Sequence, residues 1–347
     1  MADNKKEKEF FIHIGAPKTA STFLQEEYFP YITEALHLGK DVAAVETSRY
    51  KKYIGNLAYT NYTALDSSAQ DLDEYIEYVS TALGKPVPES KKFIISDEGF
   101  FNVYANLLQL PNTMQVLKKV FGDNTKIILT IRQQGSFLES LYKQSLVNGH
   151  FSSLNYFLRY ANGNFGAYYP DAKYNIEVKT YNWLNIYKQL CAIFPKENIL
   201  ILPYEMLREN PNSFFREFNK FMNISKVEVN HRKKVNKSNS LTALKVLRVL
   251  NRLTNNQRNG LPVLIQNPLW PLLPPYSMGE GKVLNSIRNF SDRLNARNFI
   301  KIFNLIDKKR GNFISQDVHE KIMEMHSSSN KELDNRLGLN LKKYGYY

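Results

Sequence analysis

The chain has 347 residues, 43% of them hydrophobic and 13% aromatic, which is enough to bury one large α/β domain or two modest domains. Its 46 lysines and arginines outnumber its 33 aspartates and glutamates, and the net charge of +13 indicates an anionic partner of some kind. The single cysteine, Cys191, excludes an internal disulfide framework. The charged start lacks the pattern of a signal peptide, and no apolar run approaches the roughly 20 residues that span a bilayer, so a cytoplasmic protein without a transmembrane segment is expected.

Short apolar runs of strand length alternate with segments of helical periodicity. The runs cover residues 10–14, 93–95, 126–131 and 198–202. Their continuous Ile, Leu and Phe content predicts strands covered on both faces, so the expected fold class is α/β, with a parallel sheet flanked by helices. We divide the chain into a charged tail (1–9), a core (10–230) and a mainly helical C-terminal extension (231–347), in which residues 241–253 predict one helix.

The first strand runs into residues 15–22, Gly-Ala-Pro-Lys-Thr-Ala-Ser-Thr, where small and hydroxyl residues surround one lysine as a helix begins. A turn of this kind directs backbone N–H groups and the positive end of the helix at an anion. It is not a Walker A sequence, because the lysine comes early and the second glycine with its following Lys-Ser/Thr is absent. The segment predicts phosphate binding, and a helix N-cap formed by Thr19 or Ser21 is the alternative.

The strand at 126–131 leads into Arg132, and Ser140 follows eight residues later in the next predicted helix. An arginine at the carboxyl end of a strand and a serine in the next helix can converge on one phosphate, at the edge where open α/β sheets bind ligands. The alternative is an exposed arginine beside a serine on a helix surface.

Residues 17–23, Pro-Lys-Thr-Ala-Ser-Thr-Phe, resemble the Pro-Lys-Ser-Gly-Thr-Thr-Trp loop that grips the 5′-phosphosulfate in PAPS-dependent sulfotransferases, a family with a P-loop-like fold. The resemblance implies that Lys18 neutralises charge on the oxygen that bridges sulfur and phosphorus. It also implies that Ser21, Thr22 and backbone amides hold the 5′-phosphate. The sequence departs from the family at Ala20, where a glycine is usual.

The same resemblance assigns the donor's 3′-phosphate to Arg132 and Ser140, which have the family's spacing. In the turn at 133–135, Gln-Gln-Gly replaces Asn-Pro or a similar turn, and the family's second arginine is absent. Tyr204 begins a Tyr-Glu-Met-Leu turn similar to the family's, which implies a place near the adenine. The end of the chain, 337–347, resembles the ends of bacterial sulfotransferase-like proteins, and its sequence indicates no role. The donor-binding residues that the resemblance implies are Pro17, Lys18, Thr19, Ala20, Ser21, Thr22, Arg132, Ser140, Tyr204 and, in a loop that folds over the donor, Asn236 and Ser238.

Two adjacent acids, Asp97 and Glu98, follow the strand at 93–95 at the ligand-binding edge of the predicted sheet. Sulfuryl transfer needs a group that takes the acceptor's proton, and a carboxylate packed against aromatic residues such as Phe100 has its pKa raised toward that use. We predict Glu98 as this base, with Asp97 and His13 as alternatives. Either acid could instead cap the next helix.

The predicted enzyme transfers a sulfuryl group from PAPS to a hydroxyl or amine of an acceptor and releases PAP, with no metal ion. The tyrosine-rich segment at 165–170 and the basic excess suit a saccharide or glycolipid acceptor rather than nucleic acid, and the C-terminal extension would cover the donor and acceptor sites. Two alternatives stay open: a P-loop-type kinase or NTPase, and a non-catalytic polyanion-binding protein. The sequence leaves the acceptor's identity, O- versus N-sulfation and the oligomeric state undetermined.

Overall fold

A computed structural model describes residues 8–39, 45–65, 72–101, 107–166, 175–227, 239–255, 265–266 and 311–347. The strands within these ranges are β1 (Glu9–His13), β2 (Ala35–His37), β3 (Lys92–Ser96), β4 (Lys126–Ile131), β5 (Tyr160–Ala161), β6 (Asn164–Phe165), β7 (Ile199–Pro203), β8 (Thr254–Asn255) and β9 (Ile265–Gln266). The helices are α1 (Ser21–Glu27), α2 (Thr47–Tyr53), α3 (Leu72–Leu83), α4 (Leu110–Phe121), α5 (Gln134–Val147), α6 (Leu154–Leu158), α7 (Trp183–Cys191), α8 (Tyr204–Glu209), α9 (Pro211–Met222), α10 (Leu241–Leu253) and α11 (Gln316–Leu337).

Five strands form one sheet in the order β2-β3-β1-β4-β7, and each neighbouring pair is parallel. Ile12 at the centre of the sheet is in register with Ile95 of β3 and Ile127 of β4. The chain continues to one side of β1 for β2 and β3 and to the other side for β4 and β7, so the strand order reverses at β1. In open α/β sheets, ligands bind outside the carboxyl ends of the strands at such a reversal. The predicted α/β class with a parallel sheet and helices is confirmed, and α11 supplies a helical C-terminal region.

The helix α9 shows why these segments fold against the sheet. The side chain of Asn210 caps the helix by accepting a hydrogen bond from Ser213 N at 3.1 Å, and Pro211 occupies the first turn, where its missing N–H costs nothing. One face of the helix is aromatic and buried. It packs in a cluster with Phe11, Leu24 and Ile128, so α1 and α9 share a core on the sheet. The buried apolar residues of α9 are Phe214, Phe215, Phe218 and Met222.

The chain falls into two compact units. One comprises Met1–Phe137, Lys179–Val235 and Lys321–Tyr347, and it contains the five-stranded sheet. The other comprises Leu138–Val178 and Asn236–Glu320, and it contains β5, β6 and α10. Both units are discontinuous in sequence. This division does not test the domain boundary expected near residue 230, which stays a prediction.

Candidate active site

The segment between β1 and α1 is a tight loop in which two residues that are not glycine have a left-handed backbone conformation. Lys18 has a φ of 69° and Ala20 a φ of 71°, both in the left-handed region that L-residues rarely adopt. Thr19 is buried, and its Oγ1 donates to the carbonyl oxygen of Ala16 at 2.5 Å. Left-handed residues in a turn are typical of the concavities whose backbone N–H groups hold anions, and backbone strain of this kind concentrates at functional sites.

His13, the last residue of β1, lies directly beneath this loop. Its ring is buried, with Nδ1 at 2.8 Å from Ser96 Oγ and Nε2 at 3.4 Å from Thr130 Oγ1. A Cβ placed on Gly15 would lie 2.6 Å from the ring's Cε1, so the loop approaches the ring as closely as it does because this residue is glycine. Burial lowers the pKa of His13 to about 3, and the ring is therefore neutral at neutral pH.

Ser21, the first residue of α1, contributes a buried hydroxyl to the loop. Its Oγ lies 2.7 Å from where a Cβ of Gly15 would be, and it has no hydrogen-bond partner among the described residues. Leaving a buried polar atom without a partner costs about 1–3 kcal/mol. A phosphate oxygen in the loop would accept a hydrogen bond from this hydroxyl, so the residues present fit the phosphate group that the sequence predicts.

Arg132 follows β4 and joins its turn to the loop. Its Nη1 donates to the carbonyl oxygen of Lys18 at 3.0 Å, and its Nε donates to Ser136 Oγ at 3.0 Å. The guanidinium lies 5.0 Å from the ring centre of Tyr204, which begins α8 at the end of β7. Trp183 Nε1 donates to the Arg132 carbonyl at 2.9 Å. One guanidinium is therefore contacted by the Lys18 carbonyl after β1, the Ser136 hydroxyl after β4 and the Tyr204 ring after β7.

The turn that follows Arg132 is fixed by α8 and by the end of the chain. The backbone N–H of Gln133 donates to Glu205 Oε1 at 3.1 Å, and the hydroxyl of Tyr346 donates to Glu205 Oε2 at 2.8 Å. The side chain of Gln133 also donates to the carbonyl oxygen of Gly345 at 3.4 Å. One oxygen of Glu205 thus holds the turn through the Gln133 amide, and the other is held by Tyr346.

The two acids after β3 have different surroundings. Asp97 is buried, and its carboxylate accepts hydrogen bonds from the Tyr50 hydroxyl at 2.6 Å and from Gly99 N at 2.8 Å. It therefore caps the short 3-10 helix Glu98–Phe101. Glu98 is half-buried, and its charge acts on the pKa of Lys18.

Two cations meet at this edge of the sheet. Burial lowers the pKa of Lys18 below its ordinary value; the charge of Glu98 opposes this change and the charge of Arg132 adds to it. Burial also lowers the pKa of Arg132, against the attraction of Tyr204 and Glu205. Because both cations have lost part of their hydration, an anion bound between them would be favoured by each.

A family model described as "Sulfotransferase domain" matches residues 9–261, which include the loop, Glu98, Arg132, Ser140 and Tyr204. The chain belongs to the sulfotransferase domain family. A search among curated protein sequences gives no match. The identification of the chain as an enzyme of this class rests on the family model, which matches most of its length.

Solved structures of sulfotransferases are distantly similar to this sulfotransferase. One is the sulfotransferase from Alicyclobacillus acidocaldarius, with 16% identity and a TM-score of 0.42 over 71% of this chain and 94% of that one. A second is the sulfotransferase domain from the curacin biosynthetic pathway, with 15% identity and a TM-score of 0.36 over 69% and 82%. A third is the sulfotransferase domain from the Synechococcus PCC 7002 olefin synthase, with 11% identity and a TM-score of 0.34 over 84% and 96%. These scores are low, so family membership rests on the sequence match.

The remaining predicted donor-binding residues of the sulfotransferase have three different positions. Pro17 and Thr22 are half-buried members of the loop. Ser140 is half-buried on α5, in the part of that helix that belongs to the second compact unit. Asn236 and Ser238 lie outside the described residues.

Sequence reasoning missed three residues: Ser136 and Glu205, which contact the Arg132 turn, and Tyr346, which contacts Glu205. Ser136 lies one helical turn after Arg132, a spacing that could have suggested a contact. Glu205 directly follows Tyr204, so its strand-end position could also have been used. Tyr346 is 141 residues from its partner Glu205, and no local pattern indicates such a contact.

The described part of the chain has neither a membrane-spanning helix nor a cluster of metal-binding side chains. None of its helices combines the length and the apolar character needed to cross a membrane. The same residues contain no group of three or more His, Cys, Asp or Glu side chains that could hold a metal ion.

Proposed function

We propose that this sulfotransferase takes its sulfuryl group from PAPS and transfers it to a hydroxyl or amine of a saccharide or glycolipid, in the cytoplasm. The observation that carries the donor assignment is the hydrogen bond from Arg132 Nη1 to the Lys18 carbonyl at 3.0 Å. It joins two cationic segments, so that a ligand with two separate anionic groups can contact both. PAPS carries a 5′-phosphosulfate and a separate 3′-phosphate, whereas the phosphates of ATP form one chain.

The loop would hold the 5′ end of the donor. Ser21 Oγ, which is buried and has no partner among the described residues, would donate to the 5′-phosphate together with Thr22 and loop amides. Lys18 would neutralise the oxygen that leaves sulfur with PAP. PAPS supplies the activated sulfuryl group, and the chain's own contribution is positioning and charge neutralisation.

Arg132 would hold the 3′-phosphate with Ser140. A guanidinium has five N–H donors in a planar fork that matches phosphate oxygens, and two of them donate to described residues, Lys18 and Ser136. The Tyr204 ring against the guanidinium restricts its orientation and would lie beside the adenine. Asn236 and Ser238 belong to the same proposal as further donor contacts.

Glu98 is the residue that we propose as the base. As the acceptor oxygen or nitrogen bonds to sulfur and the bond from sulfur to the bridging oxygen breaks, the acceptor's proton would pass to the Glu98 carboxylate. The Asp97 carboxylate instead accepts from Tyr50 and Gly99, which suits a structural role. His13 lies beneath the loop with a pKa of about 3, so it is a weak proton acceptor.

The acceptor class is supported only by general features of the chain. A net charge of +13 favours an anionic saccharide, and the aromatic residues at 165–170 are of the kind that stack on sugar rings. A polyanion-binding protein without catalysis would share the charge but would not depend on Lys18.

A ligand comparison followed by a transfer assay tests this function. We expect PAP to raise the melting temperature more than ATP with Mg²⁺, and labelled sulfate from PAPS to appear on one member of a panel of glycans, glycolipids and phenols. Glu98→Gln should lower kcat about 100-fold or more while PAP still binds, because the base is lost and the donor site is kept. Preferential stabilisation by ATP would contradict the donor assignment, and a Glu98→Gln enzyme with full kcat would contradict the base assignment.

A further inference from the structure

The C-terminal segment contacts the β4–α5 turn at two consecutive residues. Gln133 Nε2 donates to the carbonyl oxygen of Gly345 at 3.4 Å. Gln134 and Asn330 of α11 are both buried, and their side-chain amides exchange two hydrogen bonds, at 2.9 and 3.0 Å. Asn330 Nδ2 also donates to the carbonyl oxygen of Tyr346 at 2.8 Å. All of these residues lie in the compact unit that contains the sheet. Both glutamines that depart from the family's turn therefore contact the C-terminal segment.

Tyr346 makes a charge-assisted contact with Glu205, which in turn binds the same turn. Its side chain is fully buried, and its hydroxyl donates to one carboxylate oxygen of Glu205 at 2.8 Å. The other oxygen of Glu205 accepts the backbone N–H of Gln133 at 3.1 Å. Burial, reinforced by the charge of Glu205, raises the pKa of Tyr346 well above its ordinary value, so the hydroxyl keeps its proton. Two consecutive hydrogen bonds thus link Tyr346 through Glu205 to Gln133, the residue after Arg132.

Hydrogen bonds to a charged carboxylate are among the stronger ones in proteins, and they fix the direction of both partners. Removal of the Tyr346 hydroxyl would leave Glu205 free to turn toward other donors, and the Gln133 amide would lose its fixed acceptor. Arg132 is covalently joined to that amide, so its guanidinium would move with it. Small displacements of a group that must meet a ligand at a fixed point cost affinity for that part of the ligand.

We propose that Tyr346 is a positioning residue of the 3′-phosphate site: through Glu205 it fixes the Gln133 amide and thereby the Arg132 guanidinium. This inference rests on the proposed PAPS donor. It gives the end of the chain a role in selecting nucleotides with a 3′-phosphate over those without one.

The test compares Tyr346→Phe with the matched variant Tyr347→Phe in the full-length protein. The Tyr347 hydroxyl also donates to a carboxylate, Asp334 Oδ2 at 2.8 Å, but that carboxylate does not contact the turn's backbone amide. Calorimetric titrations with PAP and with adenosine 5′-monophosphate measure the preference for a 3′-phosphate. We expect Tyr346→Phe to weaken PAP binding about tenfold and monophosphate binding less than about twofold, with Tyr347→Phe unchanged for both ligands.

Three results would overturn the inference, and Arg132→Ala tells them apart. If Tyr346→Phe weakens both nucleotides equally, its role is general stability, which a fall in melting temperature would accompany. If wild type prefers PAP and Arg132→Ala removes that preference while Tyr346→Phe keeps it, the positioning role alone is wrong. If wild type itself binds both nucleotides equally, the proposed donor and this inference fail together.

Discussion

The loop after β1 and the turn after β4 each present one cation, but different interactions shape them. The loop is built locally, from left-handed Lys18 and Ala20 and from the Thr19 side chain that closes on the backbone three residues earlier. The turn is held by Glu205 and Tyr346, which are far away in sequence. A locally built segment fails when its own backbone is altered, whereas a segment held by tertiary contacts fails when a distant partner is removed.

The largest effect should come from Gly15→Ala in the loop. The added Cβ would lie 2.6 Å from the His13 ring and 2.7 Å from Ser21 Oγ, so either the loop or the ring must shift. We expect PAP binding to weaken about 100-fold and the free energy of unfolding to fall by about 1–3 kcal/mol, measured by titration and chemical denaturation.

Gly84→Ala is the control for this change. Gly84 has a φ of 60° and open space around its Cα, so alanine there should cost about 1 kcal/mol of stability through the backbone alone and leave PAP binding intact. Wild-type PAP affinity in Gly15→Ala would show that the loop is not the anion site.

Arg132→Lys tests the turn while keeping its charge. Lysine lacks the planar fork in which two separate nitrogens, Nε and Nη1, donate to Ser136 Oγ and to the Lys18 carbonyl, so its single nitrogen should hold the turn and the loop together less well. We expect PAP to bind about tenfold more weakly, by titration. The exposed Arg208 of α8 provides the matched control, because Arg208→Lys should leave PAP binding unchanged. Wild-type PAP affinity in Arg132→Lys would mean that charge at this position, and not the geometry of the guanidinium, sets the affinity.

Acid should lower the free energy of unfolding through two buried histidines, one at the end of β1 and one at the end of β2. His13 and His37 are buried, and burial lowers the pKa of each to about 3; the charges of His13 and Lys85 add to the effect on the pKa of His37. The unfolded chain, with histidine pKa near 6.5, binds protons first, so each ring lowers the free energy of unfolding by about 1.4 kcal/mol per pH unit as the pH falls from about 6.5 to about 3. Denaturation curves at several pH values measure this slope.

His37→Leu isolates one of the two contributions. Neither ring nitrogen of His37 has a hydrogen-bond partner among the described residues, so the leucine removes a titrating group without breaking a described bond. We expect the slope of the unfolding free energy against pH to decrease by about 1.4 kcal/mol per pH unit in this variant. An unchanged slope would show that His37 titrates normally in the folded protein.

The sequence identified the parts of the fold that depend on local pattern. Strand β4 and helix α10 were predicted with the bounds that the structure gives, because their apolar periodicity is continuous. The strand β2 was missed, since Ala35–His37 is only three residues long and its burial comes from its neighbours in the sheet. The fold class and the family are confirmed, and the roles of the site residues stay predictions.

The candidate site was predictable where it is local and unpredictable where it is tertiary. The motif at 15–22 pointed to an anion site before any coordinates, but its left-handed residues could not be inferred, since alanine and lysine disfavour that conformation. The contacts of the His13 ring with Ser96 and Thr130 could not be predicted, because these residues lie on neighbouring strands far away in sequence. The contact between Tyr346 and Glu205 depends on where the end of the chain packs.

The smallest effect should come from Ala20→Gly in the loop. Replacing the left-handed alanine by glycine removes a backbone strain of about 1–2 kcal/mol from the folded state. Glycine also raises the conformational entropy of the unfolded state, which offsets about 0.4–1 kcal/mol of that gain. We expect stability to rise by about 0.5 kcal/mol and PAP affinity to stay within about twofold of wild type. Ala16→Gly, at a buried residue without a positive φ, should instead lower stability. A loss of stability in both variants would indicate that Ala20 is not strained.

Calorimetric titration of PAP into wild type, Lys18→Ala and Arg132→Ala tests the central claim that the loop and the turn together bind a 3′-phosphorylated donor. We predict that each variant binds PAP about 10- to 100-fold more weakly than wild type, because each loses a charge-assisted contact to a different phosphate. PAP affinity equal to wild type in both variants would contradict the claim.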